Sequence, residues 1–328
     1  MSEYAKVAGL DLAVEALELE RRTLALNEEF TRVTTTVRLH GRGETGEGED
    51  VTYMAQEHEG FPQPDLNGEW TVDALSGRLE ALELPDYRRW AFESAALDLA
   101  LRQAGRSLGD AVGREYRPVR FVVSTREDIQ HFLAVQPSLE FKVDPLTDWS
   151  RAMIDELAAT GRIRVADLKG YYRDTPVDQP ADPRLYRDVV EGFADAVIED
   201  AAFTDETRPI LMKAAERLSF DAPIHSVADV EALELEPRWL NIKPSRFGTL
   251  RHLLDTLDYA AERGIRLYGG GQFELGIGRS HIQSLASLYY ADSANDVAPA
   301  GYNHPELGDG LPPSPLPPPR APKGLAFT

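Results

Sequence analysis

Cysteine is absent from all 328 residues. That excludes disulfides, thiolate zinc sites and thiol nucleophiles together. Basic residues are scarce: 35 Lys and Arg stand against 55 Asp and Glu, a formal charge of −20. A field of that sign repels phosphate backbones and anionic lipid, so neither nucleic acid nor a membrane surface is an expected partner. Long apolar runs are missing too. The opening MSEYAKVAGLDLAVEALELE carries acids where a secretory signal would be apolar, and no later stretch reaches membrane-spanning length. A cytoplasmic location is the expectation. There is no P-loop, and no GxGxxG opens a helix after a first strand, so nucleotide chemistry has no support.

What is present is a globular composition. Apolar residues make up 42% of the chain, enough for a sizeable core, and the length suits a barrel plus a second module. The stretch Phe30–Arg42 is rich in β-branched residues. With VTYMAQ beyond the glycine-rich GETGEGED, it suggests a hairpin in which Glu44, Glu47, Glu49 and Asp50 form a solvated turn. Helical spacing covers Thr71–Glu83 and Tyr87–Ala104, the latter stopping at Gly105.

From Pro118 the texture changes. Eight short apolar runs follow, VRFVVS, LEFKVD, IRVADLKG, DAVIED, LSFDAP, WLNIKP, IRLYGGG and NDVAP, with helical patterns between most of them. Repeated strand–helix units imply parallel strands with right-handed crossovers, and eight of them imply closure. The expected fold class is therefore α/β: a (β/α)8-type barrel over 118–303, preceded by an α+β domain over 1–117. An open doubly wound sheet is the rival. Residues 304–328 hold PPSPLPPP, which blocks helix and ladder; this tail either packs on the N-terminal domain or is disordered.

The chemistry gathers where the apolar runs end. In a parallel barrel the strand C-termini open on one face, where the catalytic residues lie. Lys142, Asp167, Glu199, Asp221 and Lys243 occupy the ends of runs two to six, at intervals of 25, 32, 22 and 22 residues. Each interval is about one strand–helix unit. Side chains two apart share a strand face, which sets Lys142 with Asp144 and Asp167 with Lys169. Asp167, Glu199 and Asp221, without sulfur or histidine, form a hard-oxygen set suited to Mg²⁺. A lysine beside such a dication has a lowered pKa and is a usable base.

These residues resemble the enolase superfamily, in a divergent form of its muconate-cycloisomerase branch. FESAALDLALRQAGRSLGDAVG is similar to the helix that leads into the barrel, and GRGETGEGED to strands of the N-terminal capping domain. IED, LNIKPSRFG and YGGGQFELGIGR are similar to strands four, six and seven. The resemblance spans roughly residues 30–300. It implies Mg²⁺ ligation by Asp167, Glu199 and Asp221 and acid–base roles for lysines, with Lys142 matching the first of a strand-two pair and Lys243 the strand-six lysine. The implied reaction removes a proton α to the carboxylate of a small substrate through an enolate, as a lyase, cycloisomerase or racemase. Asp144 stands where the second strand-two lysine belongs, Lys169 where an Asn is usual, and Ala222 where a Glu is usual. The strand-eight Asp-x-Asp is absent, with only Asp296 nearby, which disfavours dipeptide epimerisation.

Taking a proton beside a carboxylate builds up negative charge, so the base must reach the α-carbon without binding the metal. Lys243 is expected to be that group, with Lys142 or Lys169 facing it. Two other readings stand beside this one: a Schiff-base enzyme using Lys169 or Lys243, and a non-catalytic relative binding a carboxylate metabolite. Gly269–Gly271 is either a cradle for an anion or a tight turn needing room. Glu274 and Arg279 either touch substrate or pair with each other. His225 and His281 read as structural. Oligomeric state stays open, a homo-oligomer included.

Overall fold

The computed structural model describes residues 1–27, 30–61, 63–126, 128–173, 175, 177–304 and 306–327. Five strands come first: β1 (Asp11–Val14), β2 (Ala16–Ala25), β3 (Thr31–Gly41), β4 (Glu44–Asp50) and β5 (Gly68–Thr71). β2, β3 and β4 form an antiparallel sheet, and β1 pairs antiparallel with β5.

The stretch GETGEGED is a strand, not the expected turn. The turn is Arg42–Gly43, with both φ positive and Gly41 paired to Glu44, a two-residue hairpin loop. The glycines serve a different need. The helix Asp86–Gln103 lies flush on β4, so a Cβ on Gly48 would sit 1.9 Å from the carbonyl oxygen of Ala91. Glu49 and Asp50 are correspondingly buried rather than solvated. VTYMAQ does not pair: Val51–Met54 leaves the sheet, and Ala55–His58 is a 3-10 turn.

Seven parallel strands follow in sequence order: β6 (Val123–Thr125), β7 (Phe141–Val143), β8 (Ile163–Asp167), β9 (Val197–Glu199), β10 (Leu218–Phe220), β11 (Trp239–Ile242) and β12 (Arg266–Gly269). They curl into a barrel whose eighth position holds only Asn295 and Asp296. Isolated parallel bridges join Gly270 to Asp296 and Phe121 to Asn295. Buried Asn295 does the work of a longer strand with its side chain. Its Oδ1 accepts from Gly269 N (2.7 Å), and its Nδ2 donates to the carbonyls of Arg120 (2.9 Å) and Tyr290 (3.1 Å). Backbone groups that a full strand would pair are thereby satisfied.

The units are lean. Arg208–Leu211 is a four-residue helix and Val227–Ala232 a six-residue one, against fourteen residues for Leu250–Arg263. The last segment is packed. Val119 and Leu316 form an antiparallel bridge, Leu325 N donates to Asp98 Oδ1 (2.7 Å), and the Leu325 and Phe327 side chains are buried. Among the described residues no helix is long and apolar enough to cross a membrane.

Candidate metal and proton-transfer site

Strand geometry brings the three carboxylates together. Asp167 ends β8, Glu199 ends β9, and Asp221 follows β10 by one residue. All are buried, and each offers an oxygen within 4.8 Å of the others'. The donor set is oxygen only. Residue types and spacing both fit Mg²⁺.

Each carboxylate is held by named groups. Glu199 accepts from Lys142 Nζ (2.6 Å), Asn241 Nδ2 (3.2 Å) and Tyr268 Oη (2.5 Å). Asp167 lies 3.0 Å from Lys142 Nζ and also accepts from Lys169. Asp221 accepts from Tyr172 Oη at 2.8 Å, with Lys243 Nζ at 2.9 Å and Arg246 Nη1 at 3.1 Å. Lys142 does not pair with Asp144, its neighbour on the strand face. Asp144 turns instead to Arg126 (3.0 Å) and Lys169 (3.6 Å).

The charges perturb one another strongly. Burial opposes ionisation of Asp167, but the Lys142 and Lys169 ammoniums outweigh it and hold its carboxyl far below the usual range. For Glu199 burial wins, reinforced by the charge of Asp167, and its carboxyl is pushed well up despite Lys142. Burial likewise works against the ammoniums of Lys142 and Lys243. There the carboxylates dominate, Asp167 and Glu199 for Lys142 and Asp221 for Lys243, and both pKa values rise. The carboxylates alone therefore pull the lysines opposite to the lowering expected beside a dication. Three negative groups this close, one of them driven toward protonation, are a poor arrangement for stability and a good one for a cation.

A cavity of about 450 Å³ reaches the lysines that hold this cluster, with the three carboxylates buried behind them rather than in its lining. Lys142, Asp144, Lys169, Lys243 and Asp296 line it, so all three sequence-predicted lysines reach one space. Lys169 (φ +53°) and Phe273 (φ +60°), two of the wall residues, and Asp200 (φ +50°) beside Glu199 hold left-handed backbone, a conformation that concentrates at functional sites.

With that geometry in place, comparison with known proteins is decisive for the family. Residues 115–304 match the domain of unknown function (DUF8230) C-terminal domain, and residues 5–111 match the DUF8230 N-terminal domain. The chain belongs to the DUF8230 family. An o-succinylbenzoate synthase from Geobacillus stearothermophilus is 26% identical over 252 residues, covering 70% of this chain and 64% of that enzyme. The match thus spans a little under two thirds of the curated relative's length. Muconate cycloisomerase from Pseudomonas fluorescens superposes with a TM-score of 0.68 at 20% identity, covering 88% of this chain and 87% of that one. A dipeptide epimerase from Methylococcus capsulatus, complexed with Mg ion, gives 0.66 at 21% identity, covering 88% and 94%. This DUF8230 chain has the enolase-superfamily fold, in the form seen in muconate cycloisomerases.

Several groups of the DUF8230 site were not singled out from sequence, although strand period contained the signal. Asn241 is two residues from Lys243 on β11, and Tyr268 is two from Gly270 at the end of β12. Both point at Glu199. Asp200 accepts from the amides of Asp221 (2.8 Å) and Ala222 (2.9 Å), fixing the backbone that carries Asp221. Gly270 needs room: a Cβ there would lie 2.4 Å from Asn241 Oδ1 and 2.9 Å from Lys243 Cε. Arg279 and Glu274 pair at 3.1 Å. His225 pairs with Asp86 at 2.8 Å, and His281 is buried in the Ile277–Tyr289 helix.

Proposed function

We propose that the chain is an Mg²⁺-dependent enzyme that removes the proton α to the carboxylate of a small substrate through an enolate, as a lyase, cycloisomerase or racemase. The observation that carries this is the convergence of Asp167, Glu199 and Asp221 in one buried oxygen-donor set. In this reading they hold the metal. Residues 1–117 form the capping domain, 118–303 the barrel, and 304–328 a tail on the cap. The location is cytoplasmic.

Bound Mg²⁺ would supply Lewis-acid stabilisation of the charge that develops on the substrate carboxylate as the proton leaves. The rest falls to the protein's own side chains. Lys243, one strand beyond Asp221, reaches the cavity and takes the proton once Asp221 no longer holds it as an ammonium. Lys142 and Lys169 approach from the β7–β8 side and offset negative charge opposite Lys243. Asp144 is anionic and cannot replace a lysine as a charge partner for an enolate. A one-base reaction therefore fits better than a symmetric two-base racemisation.

The test is α-proton exchange in D₂O with Mg²⁺, followed by NMR, over acid sugars, N-acylamino acids and cycloisomerase substrates. Lys243→Ala should slow exchange at least 100-fold while Mg²⁺ affinity stays within threefold, as a proton-transfer role demands. Retained exchange in that variant removes Lys243 from the chemistry. Mg²⁺ binding with no exchange of any substrate would favour the metabolite-binding reading.

A further inference from the structure

Two buried charges of the cap sheet have no part in the chemistry above, and both end on the same barrel loop. Arg32 on β3 is fully buried, and among the described residues it has no carboxylate at ion-pair distance. A buried cation without an anion is costly unless all its donors are used. Arg32 uses five. Its guanidinium donates to the carbonyls of Val51 (2.6 Å), Thr52 (2.6 Å) and Tyr53 (3.4 Å) on the cap, and of Gln272 (2.9 Å) and Phe273 (3.1 Å) after β12. Glu49 on β4 completes the hold with the opposite charge. Its carboxylate accepts from the amides of Leu275 (2.8 Å), Gly276 (2.9 Å) and Gly278 (2.8 Å).

The loop from Gln272 to Gly278 is thus gripped by its carbonyls at one end and its amides at the other, both times from the cap. That grip sets two faces of the cavity, Tyr53 on the cap side and Gln272–Phe273 on the barrel side. Phe30 stacks on Tyr53, ring centroids 5.3 Å apart and planes 20° apart, adding a second ring to that wall. Lys142, Lys169 and Lys243 line the same cavity. A molecule filling it therefore meets both cations and aromatic faces.

We propose that Arg32 and Glu49 are positioning residues for substrate selection: they fix an aromatic wall that favours a carboxylate with an apolar, ring-bearing body over a bare short carboxylate. This rests on the cavity being the substrate site proposed above. Arg32 ties the carbonyls of Val51–Tyr53 to those of Gln272 and Phe273, while Glu49 holds the amides that follow, so the place of the wall depends on both. A lysine carries three donors on one nitrogen and cannot serve five carbonyls spread over two loops.

The experiment measures binding rather than turnover, using phenylacetate and acetate as probes by calorimetry in the presence of Mg²⁺. The unmodified protein should bind phenylacetate at least tenfold more tightly than acetate. Arg32→Lys should bring that ratio to within threefold of unity, with Mg²⁺ affinity altered less than twofold. Tyr53→Ala, at a half-exposed position that leaves folding intact, should weaken phenylacetate alone, so the proposal stays testable if Arg32→Lys does not fold. In Glu49→Gln, hydrogen exchange at the amides of 275, 276 and 278 should quicken at least tenfold. Equal binding of the probes by the unmodified protein, an unchanged ratio in the variants, or unchanged amide exchange would each overturn it. Discrimination without α-proton exchange of any substrate would sink only the catalytic reading; exchange without discrimination would sink only this one.

Discussion

Asp200 shows how much one residue contributes without touching a metal. It is buried, holds φ at +50°, and accepts from two successive amides beside Asp221. Burial, with the charges of Asp221 and Asp167, pushes its carboxyl up to about 7. An amide side chain at this position has only one acceptor oxygen for the two amides, so Asp200→Asn should release the Asp221 backbone. Mg²⁺ affinity measured by calorimetry should fall roughly 10-fold, the usual cost of losing a ligand's support. His281 carries a prediction of a different kind. Neither ring nitrogen has a hydrogen-bond partner among the described residues. Burial lowers its pKa to about 4, against the pull of Asp98 and Glu47 and with help from Arg102. The unfolded chain, with a histidine pKa of about 6.5, binds the proton more readily. Stability should therefore fall as pH drops from about 6.5 to about 4, by up to about 3 kcal/mol from this group. Urea midpoints at pH 7 and pH 4.5 should show that part of the loss in the parent and not in His281→Leu. An identical pH response in the variant would refute the assignment.

At the scale of elements, the barrel strands were legible because each is a short apolar run ended by a polar group. Six of the seven lie within the runs read from sequence, β6 overruns VRFVVS by Thr125 alone, and NDVAP holds the two residues of the eighth position. Strand β4 was not legible from local propensity, and only the resemblance of GRGETGEGED to capping-domain strands pointed to it. Its glycines and acids carry turn chemistry in isolation, and only the approach of the Asp86–Gln103 helix explains them. Long-range packing of that kind leaves no local signature. It does make a sharp prediction. Gly48→Ala drives a methyl into the carbonyl of Ala91, 1.9 Å away, where neither backbone can retreat without breaking the helix or the sheet. The cost should be about 3 kcal/mol or more, read from the denaturant midpoint at unchanged slope. Gly77, with nothing within 4 Å of an added Cβ, supplies the control: Gly77→Ala in the Val72–Glu80 helix should be neutral or stabilising. The two substitutions share one chemistry, so their difference isolates the close approach.

Over the whole molecule, the candidate site was more legible than the parts that surround it. Order along the chain encodes order around the barrel, so five charged residues one strand–helix unit apart had to converge if the barrel formed. What order cannot encode is contact between the cap, the barrel and the final segment, because those contacts join residues far apart in sequence, 227 positions for Asp98 and Leu325. The grip of Glu49 on Gly278 is one case, and the seating of Leu325 and Phe327 is another. Leu325 N donates to Asp98 on the cap helix, while Phe327 N donates to Ser280 on the Ile277–Tyr289 helix. Residues 324–327 thus tie an N-terminal helix to a barrel helix and cover both with buried side chains. Removing residues 324–328 exposes that apolar surface and leaves Asp98 short of one donor. Two buried side chains at about 1.5–3 kcal/mol each give an expected loss of about 3–6 kcal/mol. Because the segment spans both bodies, the loss should appear in the unfolding of each, with cap and barrel fluorescence transitions shifting together to lower urea. A shift confined to one transition would place the segment's stabilisation on that body alone, and an unchanged midpoint would remove it from the fold's energetics altogether.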